Sequence, residues 1–192
     1  MKTKNLISSL MLAIALVFST TVMAQNMKKE KGIKMVGEAP MYPSKDIVSN
    51  AVNSKDHTTL VAAVKAAGLV ETLQGDGPFT VFAPTNAAFE KLPEGTVATL
   101  LKPENKSKLQ SVLTYHVLAG KYSAKDIMKA IKKGDGKAMF KTVNGAKLWA
   151  MMDGDSVVLK DSAGNMSKVT IADVNQSNGV IHVVDTVVLP GM

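Results

Sequence analysis

An α+β fold is predicted for this 192-residue chain, and three features predict it. Apolar residues between positions 44 and 132 recur at helical spacing. Residues 138–189 form short apolar runs instead, separated by Gly, Asn and Asp turn signals. Within the helical half, residues 79–82 read as a strand that turns abruptly into a helix, so β structure is threaded through it.

Taken in order, residues 1–24 read as a secretory signal. Lys2 and Lys4 make a basic start, and residues 10–18 form an apolar core well short of the ~20 residues a membrane span needs. Val22-Met23-Ala24 supplies small residues for a cut after Ala24. A membrane-anchoring helix is the alternative for this segment, and no later stretch approaches spanning length, so no membrane span is expected in the mature chain. Residues 25–43 are polar, with Lys28-Lys29-Glu30-Lys31-Gly32, Pro40 and Pro43, and read as a flexible leader of which only the last few residues dock. The domain proper is expected over residues 44–190.

Asp46-Ile47-Val48 opens a short helix, and Asp56 is placed to cap a second that carries Leu60, Val61, Val64 and Ala67 and ends at Gly68. One more turn is expected over 69–73. Thr80-Val81-Phe82 follows a Gly-Asp-Gly-Pro breaker, and Pro84 ends that strand because it has no N–H for a ladder. Thr85 or Asn86 then caps a helix that turns Ala88, Phe89 and Leu92 to one side. Short helices are expected over 94–101 and from Pro103 onward, the latter facing Leu109, Val112 and Leu113 inward. Ser123-Ala124-Lys125-Asp126 has the form of a capping box and opens a helix to about Lys132. Strands over 138–143 and 146–152 flank Asn144-Gly145, a strong hairpin signal. Further strands are expected over 156–160, 167–174 and 180–184, the last apolar enough to be buried on both faces.

Three motifs carry a family resemblance. They are the run from Gly77-Pro78-Phe79-Thr80-Val81-Phe82 through Ala83-Pro84-Thr85-Asn86 to Pro93, then Thr114-Tyr115-His116-Val117-Leu118, then Ser177-Asn178-Gly179 through Val180-Ile181-His182-Val183-Val184-Asp185 to Pro190. Together they resemble the two signature boxes and the central Tyr-His motif of a fasciclin (FAS1) domain, over about residues 42–190. The resemblance implies a twisted β-wedge packed against several helices, and a secreted adhesion or ligand-binding module with no cofactor. It implies that Tyr115 and His116 are mainly structural, although the pair has been placed in a receptor-binding face in some animal members. A Pro-Asp-Ile sequence implicated in integrin recognition in some members corresponds to Ala172-Asp173-Val174; only Asp173 matches, which leaves that segment as the border of a binding face.

Charge and composition narrow the partners. The chain carries +7, and removing residues 1–24 takes away two lysines and no acid, leaving +5. Every basic residue is lysine. The absence of the bidentate guanidinium argues against a nucleic-acid reader and excludes an Arg-Gly-Asp tripeptide. Without cysteine there is neither a disulfide nor a lipid-acylated cysteine, so the fold rests on its core. Lys125, Lys129, Lys132 and Lys133 recur at helical spacing with Lys121, Lys137 and Lys141 alongside, a stripe that attracts anionic glycans or serves only as a solvated face.

Catalytic signals are thin. The histidines are His57, His116 and His182. His182 and Asp185 stand three apart in an expected strand and so point to opposite faces, while His116 lies in an apolar stretch and reads as a buried, hydrogen-bonded strand residue. Asp153-Gly154-Asp155-Ser156 begins like a calcium loop but has Gly164 where the twelfth-position glutamate belongs, which favours a hairpin turn and no metal. The methionines are scattered rather than clustered as copper ligands. The reading is therefore a secreted non-catalytic module, periplasmic or extracellular. Tyr115, His116, Asp173 and the four stripe lysines are its candidate contacts for a surface protein or glycan. The alternative is a periplasmic or surface hydrolase using His116 with an acid brought near by folding.

Overall fold

The computed structural model describes residues 31–191, and residues from Ile33 onward form one compact unit. The expected signal segment, its cut after Ala24 and residues 25–30 of the leader lie outside the described residues. The rest of the leader is a correction. Strands β1 (Lys34–Val36) and β2 (Ala39–Met41) pair as an antiparallel hairpin, and Val36 and Met41 sit in the core at 3% and 2% exposure. An apolar residue at every second position, Ala39 and Met41, was the signal that the polar flanks masked.

The helical half follows the pattern closely. Helix α1 (Ile47–Ala51) is capped by Asp46, whose carboxylate accepts from the Val48 and Ser49 amides. Helix α2 (Thr58–Ala67) ends at Gly68, held at φ 70°, where a side chain would be strained. Asp56 does not cap α2. A short 3₁₀ turn, Lys55–His57, occupies the expected cap position, and the Thr59 amide donates instead to Asn86 Oδ1 at 3.0 Å. Helix α3 (Val70–Gln74) precedes strand β3 (Phe79–Pro84). Thr85 Oγ1 then accepts from the Ala88 amide to start α4 (Asn86–Glu90). Helix α5 (Thr96–Leu100) and α6 (Lys106–Tyr115) follow, then strand β4 (Val117–Ala119) and α7 (Ala124–Lys133), which carries the expected capping box of Ser123 and Asp126.

Five strands complete the chain: β5 (Lys137–Lys141), β6 (Lys147–Asp153), β7 (Ser156–Lys160), β8 (Met166–Gln176) and β9 (Gly179–Val184). They join β3 and β4 in a seven-stranded sheet of order β4-β3-β9-β8-β7-β6-β5. All neighbours are antiparallel except β3 and β9, the second and third strands from the β4 edge, which run parallel with Phe82 opposite His182. This pair is buried on both faces, and its alternating side chains divide the interior in two. Val81, Ala83, Ile181 and Val183 face a core closed by α1, α2 and α6. Phe82 and Val184 face a second core with Tyr115, Ile127, Ile131 and Leu159.

Candidate functional site

Tyr115 and His116 do not offer a contact surface. Tyr115 is fully buried in the second core, where its hydroxyl donates to the Lys147 carbonyl at 2.8 Å, and burial pushes its phenol up. His116 is not in a strand. It stands at the C-terminal cap of α6, 3% exposed. Its Nδ1–H donates to the Val112 carbonyl at 2.8 Å, and Nε2 accepts from the Val188 amide at 3.2 Å. Burial outweighs both the Val112 bond and the Asp161 carboxylate, so its pKa falls to about 4 and the ring is neutral. Both of its nitrogens are engaged by backbone, an arrangement that disfavours the proton-transfer role the hydrolase alternative gave it.

Asp173 proves to be a splint. It sits in an irregular stretch of β8, at φ 54°, between the register shifts that separate Val169, Ile171 and Val174. Its carboxylate accepts from the Ala124 amide at 2.8 Å, satisfying the first turn of α7. Its own amide donates to His182 Nδ1 at 3.3 Å, and His182 Nε2–H donates to the Tyr122 carbonyl at 2.9 Å. His182 is thereby neutral as well, its pKa lowered chiefly by burial. Thr80 Oγ1 extends the network by donating to the Gly120 carbonyl and accepting from the Tyr122 amide. The approach to α7, residues 120–124, is thus pinned to β3, β8 and β9.

What that network positions is the lysine stripe. Lys125, Lys129, Lys132 and Lys133 are all exposed on α7, while Ile127 and Ile131 point inward at 1% exposure each. Among the described residues, the three ion pairs involve Lys55, Lys91 and Lys168, so no stripe lysine has a carboxylate partner within salt-bridge reach. Lys121 and Lys141 are exposed beside them, and Lys137 Nζ lies 3.9 Å from the centroid of the Trp149 ring. The Asp153–Ser156 segment closes a tight turn between β6 and β7, the two residues directly paired across it.

Sequence reasoning missed one feature. Between α1, α2, α3 and the β3–β4 edge of the sheet runs an apolar cleft with a cavity of about 80 Å³. Val48, Val61, Val64, Leu73, Phe79 and Val81 are among its walls. These residues read as ordinary helix and strand core. The one local hint is that Val61, Val70 and Leu73 remain only partly buried.

A family model described as Fasciclin domain matches residues 55–190. The chain is 44% identical over 181 residues to Protein sll1483 of Synechocystis sp., an alignment covering 93% of this chain and 91% of that protein. It is 36% identical over 149 residues to the cell surface glycolipoprotein MPB83 of Mycobacterium bovis, covering 75% of this chain and 60% of that one. Among solved structures, a FAS1 domain pair from the insect cell adhesion molecule fasciclin I superposes with a TM-score of 0.68 at 19% identity. That match covers 77% of this chain and 52% of the other, so this chain spans about half of the pair, and the likeness speaks for the fold alone.

Proposed function

Because this chain belongs to the fasciclin domain family, we propose that it is a non-catalytic FAS1 module acting outside the cytoplasm. Its lysine-bearing α7 face holds an anionic glycan or an acidic surface protein. MPB83 is named for the cell surface, which supports the location. Among the described residues no helix is long and apolar enough to cross a membrane. The observation that carries the reading is the exposure of Lys125, Lys129, Lys132 and Lys133 on a helix whose first turn is held by Ser123 and Asp173. Among the described residues no carboxylate lies within salt-bridge reach of them, and Asp126, the acid that feels Lys129 and Lys125, is engaged in the capping box. Four like charges on one rigid face raise the local potential and attract a polyanion. Asp173 enters this reading through the helix it anchors, and Tyr115 and His116 through the core beneath it.

The test is retention on an anionic polysaccharide column, wild type beside a variant with all four lysines changed to Gln. Retention of the wild type should fall steeply with salt, since exposed charges are screened over ~8 Å at physiological ionic strength. The variant should elute early while still melting cooperatively within several degrees of wild type, since exposed substitutions usually change stability by less than ~0.5 kcal/mol each. Equal retention would reduce the stripe to a solvated face. Export is checked separately: the mass of the mature protein should show residues 1–24 removed.

A further inference from the structure

Only one face of the β5–β8 meander serves the core. Alternation along the strands turns Ala138, Phe140, Leu148, Ala150, Val157 and Leu159 inward, where Ile127 and Ile131 of α7 join them. The residues between them project from the opposite face. The register sets Met139 beside Trp149, Trp149 beside Lys160 and Lys160 beside Met166 in one row across the strands. The next row runs Lys137, Met151, Val158, Lys168, and Lys141 stands opposite Lys147 on the other side. Five apolar side chains are thus interleaved with five lysines. Met139, Trp149, Met151, Val158 and Met166 belong to neither core, and Met139 and Met166 are 47% and 45% exposed. Asp135, Asp153 and Asp155 fall at one end of the face, at the turns before β5 and after β6, and Asp153 lies 3.9 Å from Lys168. Among the described residues, Lys137, Lys141, Lys147 and Lys160 have no ion-pair partner.

That composition selects among partners. Exposed apolar clusters on a protein surface mark a contact with another body. A soluble anionic polymer would engage the lysines and leave Met139 and Met166 idle. A protein interface disfavours lysine and favours the arginine this chain lacks. An anionic bilayer uses both sets at once. Tryptophan and methionine enter the headgroup boundary, while lysines extend on flexible stems to the phosphates. The amphipathic ring of Trp149 suits that boundary, and Lys137 Nζ, 3.9 Å from the ring centroid, keeps a cation beside it. We propose that the outer face of β5–β8 docks the protein on the surface of an anionic phospholipid bilayer. Met139, Trp149 and Met166 lie at the headgroup boundary, and Lys137, Lys141, Lys147 and Lys160 meet the lipid phosphates.

The lysines of α7 take no part in this docking, so it and the glycan reading stand or fall separately. Trp149 is the one tryptophan of the chain and therefore reports on its own face. The measurement is its emission from the mature protein, residues 25–192, titrated with vesicles of phosphatidylglycerol and phosphatidylcholine. The titration is repeated with the same vesicles carrying brominated acyl chains. A saturable blue shift and strong quenching by bromine are expected, and neither with phosphatidylcholine alone or with dextran sulfate. Lys147→Gln with Lys160→Gln should weaken vesicle binding by about tenfold or more. Lys125→Gln with Lys129→Gln, which removes the same net charge from α7, should weaken it far less. Met139→Ser with Met166→Ser, at exposed positions, should reduce the quenching with the fold intact; should that variant not fold, the two lysine pairs decide. Vesicle binding without bromine quenching, or equal losses from the two lysine pairs, overturns the proposal. So does a concentration-dependent blue shift without vesicles, which would assign this face to a second copy of the chain.

Discussion

His116 is legible in the sequence as a buried residue and illegible as to its partners. Its apolar neighbours Val117 and Leu118 announce burial, but the amide that Nε2 accepts from belongs to Val188, 72 residues further on. No local pattern encodes that, nor the turn of α6 that moves His116 out of the expected strand. Replacing it with Ala leaves the Val112 carbonyl and Val188 amide buried without a partner, and should cost about 1–3 kcal/mol in denaturant melts. Unchanged stability combined with lost polysaccharide retention would mean that His116 touches ligand after all. Asp173 offers a sharper contrast, because it combines an acceptor for Ala124 with a left-handed backbone. Asp173→Asn keeps an acceptor oxygen and tolerates φ 54°, so its melting point should stay near wild type. Asp173→Ala loses the acceptor and keeps the strained backbone, a cost of about 1–2 kcal/mol. Equal melting of the two variants would deny Asp173 its role as anchor of α7.

The elements themselves were legible wherever their signals are local. Asn144-Gly145 sets the β5–β6 hairpin, Ser123 with Asp126 starts α7, and Gly68 stops α2, each by backbone chemistry within a few residues. The parallel pairing of β3 with β9 is not of that kind, since it joins segments about a hundred positions apart and depends on how closely two backbones approach. A side chain at Gly179 would put its Cβ 2.1 Å from the Phe79 carbonyl oxygen. Beside it, Asn178 accepts from the Ile47 amide at 3.1 Å and donates to the Leu73 and Gly75 carbonyls at 2.8 and 3.0 Å. The Asn178-Gly179 pair therefore clamps the start of the parallel strands to α1 and α3. This gives a physical reason for the residue types in the second signature box. Gly179→Ala must push the two strands apart and should destabilise by about 1–3 kcal/mol. Asn178→Ala, which orphans groups on both helices, should lose a similar amount and raise hydrogen exchange in α1 and α3 before the β5–β7 meander. Exchange that rises evenly across the fold would show that the clamp is not local to these elements.

For the molecule as a whole, the three histidines make stability depend on pH in a predictable window. His57, His116 and His182 are 3%, 3% and 1% exposed, and each has a pKa below the ordinary 6.5, with burial the leading cause. Nearby charges do not reverse this: Asp56 raises His57, Asp161 raises His116 and Asp173 raises His182, while Lys34 lowers His182. His57 has Nδ1 against Ser54 Oγ at 2.9 Å, its Nε2 is buried with no hydrogen-bond partner among the described residues, and the nearby Ala83 backbone offsets burial only in part. A group whose folded pKa is depressed binds fewer protons folded than unfolded, and the deficit opens as pH falls below 6.5. The stability contributed by neutral histidine is thus complete above about pH 7 and is lost as pH falls from 6.5 toward the folded value, about 4 for His116. At ~1.4 kcal/mol per unit, that one ring accounts for about 3 kcal/mol across the window. Asp46 and Asp185, whose carboxyls are held below 3.8, add a separate loss only at more acid pH. Urea unfolding at pH 7.5, 6, 5 and 4.5 should therefore show a continuous fall in unfolding free energy that sets in before Asp46 or Asp185 is protonated. His116→Asn, less stable at pH 7.5, should show a shallower slope because one titrating ring is gone. A flat profile from pH 7.5 to 4.5 would mean that the histidines admit protons without disturbing the fold, and the buried neutral network would have to be abandoned.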